Sequence, residues 1–263
     1  MKNIEAAGVD VVVYEQADET AYDSIFPDWF TMQRGDSIPG GVLTVFPMRF
    51  PSRRRERDDK IIEELKKSCK HFIDLRGLEA KDQFLEGKGS VIYDHKNNKI
   101  YCCNSERASL SAIEKYIEEL NKISTKPWRA VVFRGADQEG KVIYHTDCML
   151  QLLDKRALVC APALSKEELA RVTQELTSPS LNDSPYTLIE LSHEEVSHMC
   201  CNIFNVINDK SENVLLMSKQ AADSYTAEHK KLLEANYRIV ASDVYTIERT
   251  GGGSTRCLLA EYF

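Results

Sequence analysis

A chain of 263 residues, 43% of them hydrophobic, has the length and composition of a globular protein with a large core. Its formal net charge of −7 argues against a nucleic-acid partner, since phosphates call for a basic face. No stretch reads as a signal peptide or is apolar enough to span a membrane, so a cytoplasmic protein with no membrane partner is expected. The basic run Arg53-Arg54-Arg55-Glu56-Arg57 leads straight into Asp58 and Asp59, and from charge alone it is a solvated helix start. Eight cysteines, two pairs of them adjacent and most with apolar neighbours, read as buried free thiols of a reducing compartment. Neither Cys-x-x-Cys nor His-x-x-x-His spacing occurs, so no metal site and no cofactor are expected.

In chain order, Ile4 to Gly8 reads as a helix end, followed by a buried strand over Val11–Tyr14. A domain rarely opens on a last helical turn, so the N-terminus is expected to be incomplete. A polar loop around Pro27-Asp28-Trp29 precedes a strand over Val42–Phe46 and a helix from Arg57 to Lys70, with Ile61, Ile62, Leu65 and Cys69 at helical spacing. Phe84-Leu85-Glu86-Gly87 leads into a hairpin, Val91–Tyr93 and Ile100–Cys102, turned at Asn97-Asn98. The next helix opens near Ser111 with Glu114 as a capping box. Strands follow at Arg129–Phe133 and Ala157–Cys160, the latter preceding a helix boxed by Ser165 and Glu168. The strand Tyr186–Leu191 leads into a further box, Ser192 and Glu195. A strand over Asn213–Met217, a helix over Gln220–Asn236 and a strand over Tyr237–Ile247 complete the series before Gly251-Gly252-Gly253-Ser254-Thr255-Arg256-Cys257.

Asp28, Glu86, His145, Asn202 and Cys257 stand 58, 59, 57 and 55 residues apart, each near a strand edge. Units of one size, each with a polar loop, suggest a ring with those loops gathered at its axis.

Cys257 follows three glycines, which let the chain bring a side chain up to a ligand. Arg256 beside it would lower the thiol pKa and favour the nucleophilic thiolate. A structural cysteine after a turn is the plainer alternative. His145 and Asp147, two apart, would share one face of a strand, where the carboxylate would orient the imidazole. Glu86, between Leu85 and Gly87, needs a partner if buried. Arg107 precedes a helix and is either an anion binder or a surface residue.

Phe84-Leu85-Glu86-Gly87-Lys88-Gly89-Ser90, Ser105-Glu106-Arg107, Tyr144-His145-Thr146-Asp147, Cys201-Asn202 and Gly251 to Cys257 occur here in the order seen in the pentein superfamily of guanidino-group-modifying enzymes. That superfamily includes arginine deiminase, dimethylarginine dimethylaminohydrolase and the amidinotransferases. Pro51-Ser52-Arg53-Arg54 and the ending Cys257-Leu258-Leu259-Ala260-Glu261 resemble its amidinotransferase-like, citrulline-hydrolysing branch. The resemblance runs from about Asp10 to the C-terminus. It implies one catalytic domain over residues 1–263: a five-bladed α/β propeller of pseudo-fivefold symmetry, its first blade incomplete because the family's first strand and early loop precede the point where this chain starts.

The resemblance also implies roles. Cys257 would attack the guanidino or ureido carbon and form a covalent intermediate. His145 would shuttle protons, Glu86 would support it and anchor cationic nitrogens, and Asp147 would add a second carboxylate. Arg107, with Arg53 or Arg54, would hold the substrate carboxylate, and Asp28 the guanidino or ureido nitrogens. The expected activity is a cysteine-dependent hydrolase of non-peptide C–N bonds acting on a small arginine- or citrulline-like amino acid, citrulline placed narrowly first. Amidino transfer, or an inactive pentein that binds a ligand or protein, are the alternatives, and a homo-oligomer is allowed. Two departures fall at the substrate end. The branch has Asn-Asn-Trp where this chain has Asp28-Trp29, and a histidine near Gln33.

Overall fold

The computed structural model describes residues 1–16 and 18–263. Among them, four three-stranded sheets repeat one plan. In the first, β1 (Phe30–Gly35) pairs antiparallel with β2 (Ile38–Val45), the helix Asp59–Lys66 crosses over, and β3 (His71–Asp74) pairs parallel with β2. The second repeats this with β4 (Ile92–Asp94), β5 (Lys99–Cys103) and β6 (Arg129–Phe133) around the helix Leu110–Ile123. The third uses β7 (Leu150–Leu152), β8 (Arg156–Cys160) and β9 (Thr187–Leu191) around Lys166–Thr177. The fourth uses β10 (Phe204–Ile207), β11 (Asn213–Ser218) and β12 (Arg238–Ser242) around Lys219–Ser224 and Ala227–Glu234.

The central strand of each sheet is its most deeply buried, which is why these strands read as near-continuous apolar runs. The crossover helices bury one stripe each, such as Ala112, Ile113, Tyr116 and Leu120. The apolar clusters lie at the joints between successive units. Val42 and Phe46 of the first meet Ile100 and Tyr116 of the second; Tyr101 and Phe133 of the second meet Leu150 and Val159 of the third; Leu158 and Ile189 of the third meet Leu215 and Met217 of the fourth.

The five-bladed expectation is corrected in one respect: no fifth sheet forms among the described residues. Cys257 is followed by Leu259–Phe263 with no strand, and the strand expected over Val11–Tyr14 is irregular chain with Val12 and Val13 exposed. Both terminal segments pack on the outer units instead. Val9, Val11 and Leu259 lie against Val214 and Leu216, while Tyr14, Ala260 and Phe263 lie against the cluster of Trp29 and Met32.

Other expectations move for local reasons. The helix expected over Gln220–Asn236 breaks at Tyr225, because Thr226 caps a new helix by accepting the His229 N–H at 3.2 Å. The strand expected to Ile247 stops at Ser242, and Tyr245–Gly251 is helical. The Ser111 box does not form: Ser109 is the N-cap residue, and its hydroxyl donates to the Phe84 carbonyl at 3.2 Å. The Ser192/Glu195 box forms in both directions. All eight cysteines are free thiols, with Cys69 and Cys148 partly exposed. No helix among the described residues is long and apolar enough to cross a membrane.

Candidate active site

Each sheet is entered through one of the spaced polar points: Asp28 before β1, Glu86 before β4, His145 before β7 and Asn202 before β10. The fifth, Cys257, sits in the short helix Thr255–Leu258. Asp28, His145, Asn202 and Cys257 line one cavity of about 270 Å³, and Glu86 lies directly behind His145. Cys257 reaches this wall because the helix Tyr245–Gly251 ends on Gly252 at φ +72°, a left-handed turn that suits glycine.

Asn202 holds the cysteine loop. Its amide donates to Cys257 Sγ at 3.0 Å, and its Oδ1 accepts the N–H groups of Arg256 and Cys257 at 3.0 and 3.3 Å. The Cys257 thiol lies 3.8 Å from Asp147 Oδ2. Burial and the Asp147 charge push that thiol up to about 12, with Lys88 pulling the other way. Arg256 does not serve the thiol as expected: its guanidinium lies over Phe204 and pairs with Glu261 at 2.9 Å.

His145 and Asp147 do not share a strand face. Thr146–Cys148 forms a 3-10 turn that sends the imidazole to Glu86 and the carboxylate to Cys257. His145 Nε2 is 2.9 Å from Glu86 Oε2, and both residues are buried. Burial would raise the Glu86 pKa, but His145 and Arg107 hold it below the usual carboxylate range. Asp147 is fully buried with no cation within ion-pair distance among the described residues, and burial raises its pKa. Gly89 makes room for the imidazole, because a Cβ there would lie 2.6 Å from His145 Nδ1.

Of the three arginines singled out in the sequence, Arg107 and Arg53 line the cavity. The Arg107 guanidinium lies between the rings of Tyr144 and Phe50, at 4.3 and 5.1 Å, and donates to Glu86 at 3.3 Å. Its Nε is buried without a partner. Arg53 is taken up by Glu56, the Phe26 carbonyl and Asp28. Arg54 lies outside the cavity, bonded to the carbonyls of Met48 and Arg49 and to Glu79, which corrects its assignment to the substrate end. Both Asp28 oxygens are also engaged, one with Lys88 at 3.0 Å and one with Arg53 at 3.3 Å. Against the effect of burial, Lys88, His145 and Arg53 bring the Asp28 carboxyl down to about 2.

Sequence reasoning passed over Lys88 and the contacts of Asn202. Lys88 is wholly buried, and its ammonium donates to the Cys257 carbonyl at 2.7 Å as well as to Asp28. The signal was present: a lysine between two glycines in an apolar segment has its backbone packed too closely to place the charge in solvent.

The sequence profile of the family described as N,N dimethylarginine dimethylhydrolase, eukaryotic, matches residues 1–263. No curated protein matches the chain significantly. Among solved structures, the N-terminal domain of ArgZ, bound covalently to a reaction intermediate, superposes with a TM-score of 0.72 at 18% identity, over 98% of this chain and 82% of that one. ArgZ is an arginine dihydrolase of the ornithine–ammonia cycle in Cyanobacteria. Unliganded AgrE superposes at 0.69 and 18% identity, over 98% and 32% of the two chains. A dimethylarginine dimethylaminohydrolase adduct superposes at 0.67 and 17% identity, over 98% and 86%. These structural likenesses establish the shared fold, the profile match covers the whole sequence, and the chain belongs to the eukaryotic dimethylarginine dimethylhydrolase family within the pentein superfamily.

Proposed function

We propose that this chain is one catalytic domain that hydrolyses the guanidino or ureido carbon of a small arginine-derived amino acid through a covalent intermediate on Cys257. The five-bladed frame implied by the family likeness is part of this reading, the terminal segments standing in the place of a fifth blade. The observation that carries it is the meeting, in one cavity wall, of a thiol and an imidazole held by a carboxylate at 2.9 Å, with an unpaired carboxylate buried behind the wall 3.8 Å from the sulfur.

The Cys257 thiol passes its proton to His145, the thiolate attacks the planar carbon, and the C–N bond breaks as His145 gives that proton to the leaving amine. His145 then takes a proton from water, whose oxygen displaces the sulfur. Glu86 stabilises the charged imidazole, as an acceptor behind a general acid does. Arg107, which lines the cavity, is the donor for the substrate carboxylate. A carboxylate beside the sulfur, Asp147, suits a cationic group at the attacked carbon, and this, with family membership, favours an Nω-methylated arginine, giving citrulline and an amine.

A second reading, citrulline hydrolysis to ornithine, ammonia and carbon dioxide, is favoured by Asp28. Both its oxygens are already occupied by Lys88 and Arg53, so it offers little to an added cation and tolerates a neutral ureido group. The test is a product assay on methylated arginines, arginine, citrulline and agmatine, with Cys257→Ser alongside. Dimethylamine from dimethylarginine supports the first reading, and ammonia from citrulline the second. Turnover that survives Cys257→Ser removes both. Binding without turnover of any compound would make the chain a ligand-binding module.

A further inference from the structure

Lys88 has no place in the mechanism above, although it is a wholly buried lysine beside the nucleophile. A buried ammonium is costly unless fully partnered, and this one has three acceptors: Asp28 Oδ1 at 3.0 Å, the Arg256 carbonyl at 3.3 Å and the Cys257 carbonyl at 2.7 Å. Those acceptors come from two different parts of the fold. Asp28 belongs to the loop before β1, the two carbonyls to the helix Thr255–Leu258, and Lys88 itself to the helix Gly87–Ser90 that precedes β4. The lysine therefore ties the cysteine loop to the first and second units.

We propose that Lys88 is a positioning residue for Cys257, fixing the cysteine loop through its carbonyls and supplying the positive charge that favours the attacking thiolate.

The groups around the sulfur define why that charge matters. Asp147 and Cys148 approach from the 3-10 turn, His145 and Tyr144 from the segment before it, and Asp28 and Asn202 from the loops before β1 and β10. Asp147 and Asp28 both oppose a second negative charge, and Lys88 acts against them. Arg256, the neighbouring cation in sequence, is turned away to Glu261. Lys88 also occupies one oxygen of Asp28, so the same side chain lowers the affinity of that carboxylate for a substrate cation.

The proposal rests on Cys257 being the nucleophile, and its test is built to separate the two. Alkylation of Cys257 by iodoacetamide would be followed by peptide mass spectrometry from pH 7 to 11 in the wild type, Lys88→Met, Asp28→Asn and the double variant. This range lies below the thiol's midpoint, where the rate reads the shift directly: alkylation at a fixed pH is expected to be about tenfold slower or more in Lys88→Met, the equivalent of a pKa about one unit higher. Alkylation should be faster in Asp28→Asn and slow again when Lys88→Met is added. The Asp28→Asn background removes the orphaned carboxylate, so this comparison stands even where Lys88→Met alone fails to fold. In turnover, Lys88→Met should lower kcat without raising KM, since it frees one oxygen of Asp28. Equal alkylation rates in Asp28→Asn and the double variant overturn the proposal. Turnover that survives Cys257→Ser overturns the parent reading instead and leaves the alkylation result standing.

Discussion

At the scale of single residues, the site sets Cys257 chemistry by what surrounds the thiol rather than by its neighbour in sequence. Burial and Asp147 hold the thiol pKa up to about 12, so at neutral pH the sulfur of the free protein carries its proton. Because the pKa is raised, the thiolate fraction grows about tenfold for each pH unit below it. Alkylation of Cys257 is therefore expected to climb steeply from pH 7 to 10 and, at pH 7, to lag behind the partly exposed Cys69. Competitive labelling read by mass spectrometry checks this. A flat profile, or Cys257 labelled first at pH 7, contradicts the arrangement of charges described here. That Cys257, His145 and Glu86 would come together was legible because glycines and apolar neighbours surround polar groups in those segments. Arg53 and Arg54 stood as alternatives because adjacent arginines on a short helix point in different directions, and sequence alone does not tell which one faces inward.

At the scale of elements, legibility followed burial. β6, β8 and β9 lie almost where their apolar runs place them: β8 is buried on both faces, and β6 and β9 bury Val131 with Phe133 and Ile189 with Leu191 on one. β1, β3, β7 and β10 went unassigned: three are only three or four residues long, and β1 mixes polar Thr31 and Gln33 into a buried stretch. The apolar run at Val11–Tyr14 has no strand to pair with, and pairing rather than propensity decides a strand. Capping motifs divide in the same way. The Ser192 hydroxyl accepts the Glu195 N–H at 3.2 Å, and Glu195 in turn accepts from Ser192 and contacts His229 at 2.7 Å, joining two helices. Ser111 lies inside its helix, past the N-cap, and caps nothing. Ser192→Ala is expected to cost about 1 kcal/mol, and Ser111→Ala close to nothing. Urea denaturation of both variants measures the contrast, and equal losses would contradict it.

At the scale of the whole molecule, the repeated unit explains how five residues spread over most of the chain meet at one cavity. Each polar point lies at the entry to a sheet or, for Cys257, where a fifth would follow, and the apolar clusters at the joints fix one unit against the next. The spacing in the sequence carried this convergence. It did not carry the absence of a fifth sheet among the described residues, because a polar point near the end of the sequence is compatible with any partner for the segment beside it. The joint between the second and third units is the one on which His145 depends. Gly89 there is in contact with the imidazole, and an added Cβ would lie 2.6 Å from Nδ1 and 2.9 Å from Cε1. The ring would have to turn, and its 2.9 Å contact with Glu86 would go with it. A displacement of about 1 Å in a reacting group costs on the order of 100-fold in rate. Gly89→Ala is therefore expected to lower kcat by roughly 10- to 100-fold while the far-ultraviolet circular dichroism stays that of the wild type. Gly77→Ala is the matched control, since a Cβ there meets nothing within 4 Å, and it should leave both quantities unchanged. Full activity in Gly89→Ala would show that His145 can act without the seat this joint provides, and the link between unit packing and proton transfer would fall.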